Sequence, residues 1–298
     1  MLSSVAPLFI PGHMARLRDK APGFDTAIIV DIEDSVPAPD KEAARVGAVD
    51  LIARLPGVCT VRINPLAVTR GFGSAVGLED LAAVMAPGLA GVIAPKVDSL
   101  EALIEVDNAV RGAEVAAGVA QGSIPLGVVI ETASGIVNLV SIADARLDRS
   151  VRLSFGSGDF TTDMGIDWTR DETESMIARS MIPIASRACG LGRPWDSVWT
   201  DVTDMAGLRA SALRGKRLGY GSKPAIHPSQ IAIIQDVYRP TDSEIAWARK
   251  VVEASAEHSA AGRGAFLLDG RMIDDPIVAR ARDVLATAGT DQPALHSL

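Results

Sequence analysis

The chain of 298 residues is acidic, with a formal net charge of −8 and a sequence pI of about 5.1. That balance excludes nucleic acid as its main partner, because phosphate backbones need clustered Lys and Arg, while leaving room for a local basic pocket around a small anion. Hydrophobic residues make up 48% and aromatic ones only 4%, so Ala, Val, Ile and Leu must fill a core that suits one large α/β barrel or two ordinary domains.

Short apolar runs recur in chain order: "APLFIP" (6–11), "AIIVDIE" (27–33), "CTVRIN" (59–64), "GVIAPK" (91–96), "LGVVIE" (126–131), "VRLSFG" (151–156), "SVWTDV" (197–202) and "KPAIHP" (223–228). Most are continuously hydrophobic and β-branched, the mark of parallel strands covered on both faces. Helical patterns lie between them. "DKEAARVGAVDLIARL" (40–55) has helical apolar spacing, and in "DSLEALIEVDNAV" (98–110) Asp98 and Glu101 form a capping-box signature. Strands alternating with helices predict an α/β fold, a (β/α)8 TIM barrel over residues 1–235, with a doubly wound sheet as the competing architecture. Beyond it, over 236–298, the pattern turns to a helical C-terminal extension. Thr241 and Glu244 make a second capping box, "GAFLLDGRMIDDP" reads as a turn-rich segment, and a last helix spans roughly 276–288. "GFGSAVG" (71–77) misses the GxGxxG spacing and reads as a flexible loop.

Cys59 and Cys189 stand in neither a zinc-type nor a CxxC spacing, which argues against a disulfide scaffold and a structural zinc site. The start, "MLSSVAPLFIPGH", has no basic segment and too short an apolar run for a signal peptide. No apolar run approaches membrane-spanning length. The expectation is a soluble, reduced, cytoplasmic protein with no membrane partner.

In a barrel the chemistry gathers where strands end. Those ends carry Pro11 and Gly12, Asp31 with Glu33 and Asp34, Arg62 and Asn64, Lys96, Glu131, Asp159, Asp201 and His227. An acid after a strand is most often a helix cap or a solvated loop residue, and Asp40, Asp98 and Asp242 are read that way. Asp31 and Glu33 are two apart, so one face receives both beside buried neighbours, where charge must be paired or metal-bound. Arg62 and Lys96 as mere ion-pair partners of these acids is the competing reading, and His227 fits a core-edge hydrogen bond as well as catalysis. Glu131 and Asp159 follow successive strands across the Gly-rich "GSGD". Two carboxylates with open positions suit Mg2+, and no His cluster competes for zinc.

Taken in order, "LFIPG", "DTAIIVDIEDSV", "VRIN", "APKV", "VVIETASGIVN", "LSFGSGDFTTDMG", "PAIHPSQI" and "LLDGRMIDDP" resemble the motifs of the citrate lyase beta-subunit-like enzymes. These group with malyl-CoA and citramalyl-CoA lyases in the HpcH/HpaI aldolase superfamily. The resemblance implies a (β/α)8 barrel with a C-terminal helical extension, in trimers or hexamers. It implies Mg2+ on Glu131 and Asp159, Arg62 holding substrate and enolate oxygens, and Glu33, Asp34 and Lys96 around the metal and substrate. Asp274 would reach a neighbouring subunit's barrel as acid/base, although Asp275, before Pro276, is the better cap for the last helix. The implied reaction is Mg-dependent carbon–carbon cleavage of a 3-hydroxy-3-carboxyacyl thioester, malyl-, citramalyl- or citryl-CoA-like, to an acyl thioester and a 2-oxo acid. On that reading Arg62→Ala lowers turnover far more than it disturbs folding. Alternatives are a malyl-type thioester hydrolase, an aldolase on free 2-oxo acids, or the citryl-cleaving subunit of an acyl-carrier-protein-dependent citrate lyase. The chain has Val5 and Ala6 where the family often has Arg and Ser, and a basic contact near the mouth is expected to be lost.

Overall fold

In the computed structural model, which describes residues 4–66, 75–260 and 264–289, six of the predicted runs become strands. They are β1 (Leu8–Pro11), β2 (Ile28–Asp31), β3 (Cys59–Arg62), β4 (Gly91–Ala94), β5 (Leu126–Ile130) and β6 (Val151–Phe155). Each pairs in parallel with the next, in unbroken sequence order. Parallel neighbours need crossovers. These are α1 (Ala15–Lys20), α2 (Lys41–Arg54), α3 (Val76–Val84), α4 (Leu100–Ala116), the short α5 (Ala133–Val137) and α6 (Leu139–Ala143), then α7 (Ser157–Met164) and α8 (Met176–Ala188). Two more helices, α9 (Met205–Leu218) and α10 (Pro228–Tyr238), complete this unit. Residues 71–74 of "GFGSAVG" lie outside the described residues, and Val76 and Gly77 already belong to α3. α4 is capped by Ser99, whose hydroxyl accepts from Ala102 N at 3.1 Å, rather than by Asp98.

The ring closes through single bridges. Ser154 of β6 bridges to Trp195, Trp195 to Ser222, and Ala225 to Leu8 of β1. Backbone bonds hold the seam: Trp195 N to Leu153 O at 3.0 Å, Asp196 N to Ser222 O at 2.8 Å, and Phe9 N to Ala225 O at 2.8 Å. The seventh staff of the barrel is therefore centred on Trp195, and not on "SVWTDV" (197–202). That run is a loop whose Trp199 is buried in the core, and its apolar character comes from this anchoring role rather than from strand pairing. The eighth, expected at 223–228, lies at Ser222–Ala225.

So short a seam is reinforced by buried charge. Lys223, fully buried, donates to Ser197 O at 2.7 Å and Ser211 Oγ at 2.9 Å and pairs with Asp196 at 3.3 Å. Arg179 of α8 holds Asp196 with Nε and Nη2 and Glu172 with Nη1. These groups satisfy one another, as burial of charge requires.

Core side chains divide by the period of two along each strand. Ile28, Val30, Val61, Val92, Val128, Leu153 and Phe155 pack outward against the helices. Ile29, Ile93, Val129 and Trp195 form a separate cluster with Phe9. These five come from five different strand positions around the ring, so they meet only in its interior.

Residues 239–298 form a second compact unit, and Met1–Tyr238 the first. In the second unit, α11 (Asp242–Ala260) is followed by β7 (Phe266–Leu268), β8 (Arg271–Ile273) and α12 (Asp275–Gly289). The Thr241–Glu244 capping box forms as read: Thr241 N donates to Glu244 Oε2 at 2.7 Å and Glu244 N to Thr241 Oγ1 at 3.2 Å. The segment read as turn-rich is an antiparallel hairpin. Its Asp269 and Gly270 have φ of +49° and +75°, the left-handed pair that a two-residue hairpin turn demands. Among the described residues no helix is long and apolar enough to cross a membrane.

Candidate active site

Two residues beyond the interior layer, the same strand faces deliver Asp31, Arg62 and Glu131 to the C-terminal mouth of the barrel. Asp31 and Glu131 are buried, only 1% and 2% exposed. Asp31 takes the Arg62 fork in bidentate fashion, with Nε to Oδ1 at 2.8 Å and Nη2 to Oδ2 at 2.7 Å. It also accepts from the backbone N of Glu33 at 3.0 Å and of Ser35 at 3.2 Å, which fixes the turn carrying the next two acids. Burial opposes the Asp31 charge, yet the Arg62 guanidinium and these bonds more than offset it and hold the carboxyl below its usual range. Burial likewise works against Arg62, and its acidic neighbours, Asp31 first, override it and strengthen its proton affinity. Arg62 Nη1 lies 2.9 Å from Glu33 Oε2, and the guanidinium sits 5.0 Å from the Phe9 ring centre.

The ion-pair reading thus describes what Asp31 does for Arg62: it aligns the fork. Two of the five N–H donors of an arginine are hydrogen-bonded to Asp31, which leaves three, and Nη1 is within ion-pair range of Glu33 without a hydrogen bond to it. One expectation changes as a result. Arg62→Ala would strand the buried Asp31 carboxylate, a loss of about 3–5 kcal/mol, so that variant disturbs folding as well as chemistry.

Lys96 follows β4 with φ of +56°, a conformation rare outside glycine that concentrates at functional sites. In it the backbone N donates to Glu131 Oε1 at 2.7 Å while the side chain turns to the other acids. Its ammonium lies 2.8 Å from Glu33 Oε1, 3.5 Å from Asp34 Oδ2 and 3.5 Å from Asp159 Oδ1. Burial opposes this charge, but Glu33 and then Asp159 and Asp34 raise its proton affinity.

Behind the acid turn is a brace that the sequence reading missed. Lys41 Nζ donates to Ile32 O at 2.9 Å, Glu33 O at 2.7 Å and Asn64 Oδ1 at 2.8 Å. Asn64 donates to Ile32 O and to Asp80, and Arg45 holds the other Asp80 oxygen, each at 2.7–2.8 Å. A signal for Lys41 was present: a cation at the first position of a helix opposes the macrodipole and needs another reason to be there.

Glu131 directly follows β5, whereas Asp159 stands in the first turn of α7 rather than at a strand end. Burial pushes the Glu131 carboxyl up to about 8, and the charges of Asp159 and Glu33 add to the effect. Glu33 is raised too, by burial first and by Asp34 among its neighbours. The backbone makes room for Glu131 at Gly156, where a Cβ would fall 2.2 Å from Oε2 and 2.7 Å from the Glu131 Cβ. An oxygen-only set of mutually repelling carboxylates, cradled against a glycine, fits a hard divalent cation such as Mg2+. Among the described residues no three or more His, Cys, Asp or Glu form a ready-made metal cage. Two carboxylates around such an ion would leave its remaining positions to water and substrate.

The other strand-end residues have local duties. Asp201 accepts from Thr203 and Asp204 in its own loop. His227 is exposed, and its Nδ1 meets Ser229 in the first turn of α10. Asp274, in the second unit, occupies the cap position of α12 that had been given to Asp275: its carbonyl accepts from Ile277 and Val278 N at 3.0 Å, and its Oδ1 lies 3.4 Å from Ile277 N. Val5 and Ala6 precede β1, at the end of that strand opposite the mouth, where Val5 O accepts from Lys223 N at 3.0 Å. Their departure from the family pattern therefore bears on the barrel floor, and the expected loss of a contact at the mouth is corrected.

Residues 6–228 match the family model described as HpcH/HpaI aldolase/citrate lyase. The chain is 34% identical over 289 residues to the citrate lyase subunit beta-like protein of Deinococcus radiodurans, covering 94% of this chain and 95% of that one. It is 32% identical to the citrate lyase subunit beta of Escherichia coli K12, over 94% and 92% of the two chains. A similar solved structure is the CitE protein of Mycobacterium tuberculosis in complex with magnesium, acetoacetate and coenzyme A. That match has a TM-score of 0.77 and 29% identity, over 96% of this chain and 98% of that one. By its sequence, its closed barrel and the acids at its mouth, this chain belongs to the HpcH/HpaI aldolase/citrate lyase family.

Proposed function

We propose that this chain is a Mg2+-dependent carbon–carbon lyase. It cleaves a 3-hydroxy-3-carboxyacyl thioester of the malyl-, citramalyl- or citryl-CoA kind to an acyl thioester and a 2-oxo acid. The observation that carries the reading is the convergence of Glu131 and Asp159 with Arg62 and Lys96 at one barrel mouth. The similarity to a protein crystallised with magnesium, acetoacetate and coenzyme A supports both the metal and the thioester.

Glu131 and Asp159 would hold the ion. When bound, Mg2+ supplies Lewis acidity, lowering the pKa of a hydroxyl and polarising a carbonyl. Lys96, Glu33 and Asp34 position the polar oxygens of the substrate. As the hydroxyl loses its proton, the carbon–carbon bond breaks and its electron pair moves onto the thioester as an enolate. The remaining donors of Arg62 stabilise that enolate oxygen through charge-assisted hydrogen bonds, and Asp31 keeps the fork from turning away. Asp274 of a neighbouring subunit in a homotrimer or hexamer returns a proton to the enolate carbon.

One observation favours a second reading: the E. coli relative is a subunit of citrate lyase, so the acyl group could arrive on an acyl carrier protein. A panel of malyl-, citramalyl- and citryl-CoA and the corresponding free acids, each with Mg2+ or EDTA, tests both. Release of a 2-oxo acid from a CoA thioester only with Mg2+ supports the lyase. Release of free CoA and intact hydroxy acid would make it a hydrolase, equal cleavage of free acids an aldolase, and inactivity until a carrier protein is added a complex subunit. Mixing inactive E131Q and D274N chains should restore activity if Asp274 serves a neighbour's barrel.

A further inference from the structure

We infer that Lys96 is a resident competitor for the divalent ion: its ammonium neutralises the mouth in the metal-free protein and withdraws from Asp159 when the ion arrives. Lys96 would therefore set how tightly this site holds metal. The inference rests on the reading of Glu131 and Asp159 as metal ligands.

Lys96 touches both candidate ligands by different means, Glu131 through its backbone N at 2.7 Å and Asp159 through its ammonium at 3.5 Å. The amide contact is pinned by the backbone. The ammonium rides on a flexible four-carbon stem and can move. Its two kinds of carboxylate contact are unequal. Glu33, whose side chain is 3% exposed, is held at 2.8 Å, while Asp34 and Asp159, 55% and 39% exposed, are each held at 3.5 Å. A second cation at Asp159 would repel the ammonium at close range. The ammonium then keeps its short contact with buried Glu33 and gives up Asp159, the longer contact at the carboxylate that the ion itself would take. Lys41 provides the contrast, because its three hydrogen bonds at this loop go to two carbonyls and an amide oxygen rather than to a carboxylate.

Metal-stripped wild type, Lys96→Met, Lys41→Met and Glu131→Gln are titrated with MgCl2 by calorimetry. Lys96→Met should bind at least about tenfold more tightly than wild type, from loss of a charge near 4 Å, and Lys41→Met should change by less than about threefold. Unchanged or weaker binding by Lys96→Met, or an equal gain in Lys41→Met, overturns the inference. If wild type takes up no Mg2+, or Glu131→Gln binds as well as wild type, the metal reading itself fails instead. Thermal melting supplies a readout that a structural brace would not move: Lys96→Met should melt below wild type in EDTA and recover in Mg2+, whereas equal losses in both overturn the proposal. Should the variant not fold, crystals of the wild type grown with Mn2+ decide it. Lys96 Nζ should lie more than 4 Å from Asp159, and retention of the 3.5 Å contact with metal bound refutes the exchange.

Discussion

Glu131→Gln should stabilise the metal-free protein, against the usual outcome of altering a buried residue. The carboxyl is pushed from its ordinary value of 4.5 up to about 8 by burial and then by Asp159 and Glu33. The folded state thus holds this proton more tightly than the unfolded chain does. Stability from this group is fully present below 4.5 and is lost progressively as pH rises through 8. Each pH unit is worth about 1.4 kcal/mol, so the interval from 4.5 to 8 amounts to at most about 5 kcal/mol. Gln carries no charge at any pH and keeps an oxygen to accept from Lys96 N. Urea denaturation in EDTA should therefore show wild type and variant alike near pH 4.5. By pH 8.5 the variant should lead by about 2 kcal/mol or more, roughly a 1 M shift in midpoint. Saturating Mg2+ should reverse the order, because only the wild type gains binding free energy, about 2.7 kcal/mol at a hundredfold excess over Kd. A variant less stable than wild type at pH 8.5 without metal, or a difference that ignores pH, refutes the reasoning.

Gly156→Ala should lower turnover at least about a hundredfold, since its Cβ would overlap Glu131 Oε2 at 2.2 Å and must displace the carboxylate; steady-state kinetics with wild-type activity would contradict this. Arg62→Lys keeps the charge but loses the fork on Asp31, so kcat should fall by about a hundredfold with a smaller melting loss than Arg62→Ala, whose stranded acid is worth about 3–5 kcal/mol. Lys223→Met should destabilise by about 3 kcal/mol in urea while kcat at 25 °C stays within a few-fold of wild type, because Lys223 serves the seam at Asp196, Ser197 and Ser211.

What was legible in the sequence was the set of strands that end in charge. Continuous apolar runs predict buried parallel strands, and polar residues immediately beyond them mark the mouth; Asp31, Arg62, Lys96 and Glu131 were found in this way. Which cation meets which acid was not legible. Arg62 and Asp31 are 31 positions apart and become opposite neighbours only through the β2–β3 register. The Trp195 staff escaped notice because one bridged residue after Pro194 leaves no periodic run, while the apolar Val198–Trp199 pair nearby imitated one. The hairpin after α11 carried its Asp-Gly turn in plain view, but three-residue strands are too short for periodicity to register. The left-handed backbone of Lys96 and the space reserved at Gly156 are tertiary facts, set by what Glu131 needs around it.

The location of the ion tests the account most directly. Crystals soaked with Mn2+ and measured at its absorption edge should show one anomalous peak per barrel, with oxygens of Glu131 and Asp159 both within about 2.3 Å. A peak held by other residues, or a mouth that stays without metal at saturating Mn2+, would contradict the central claim.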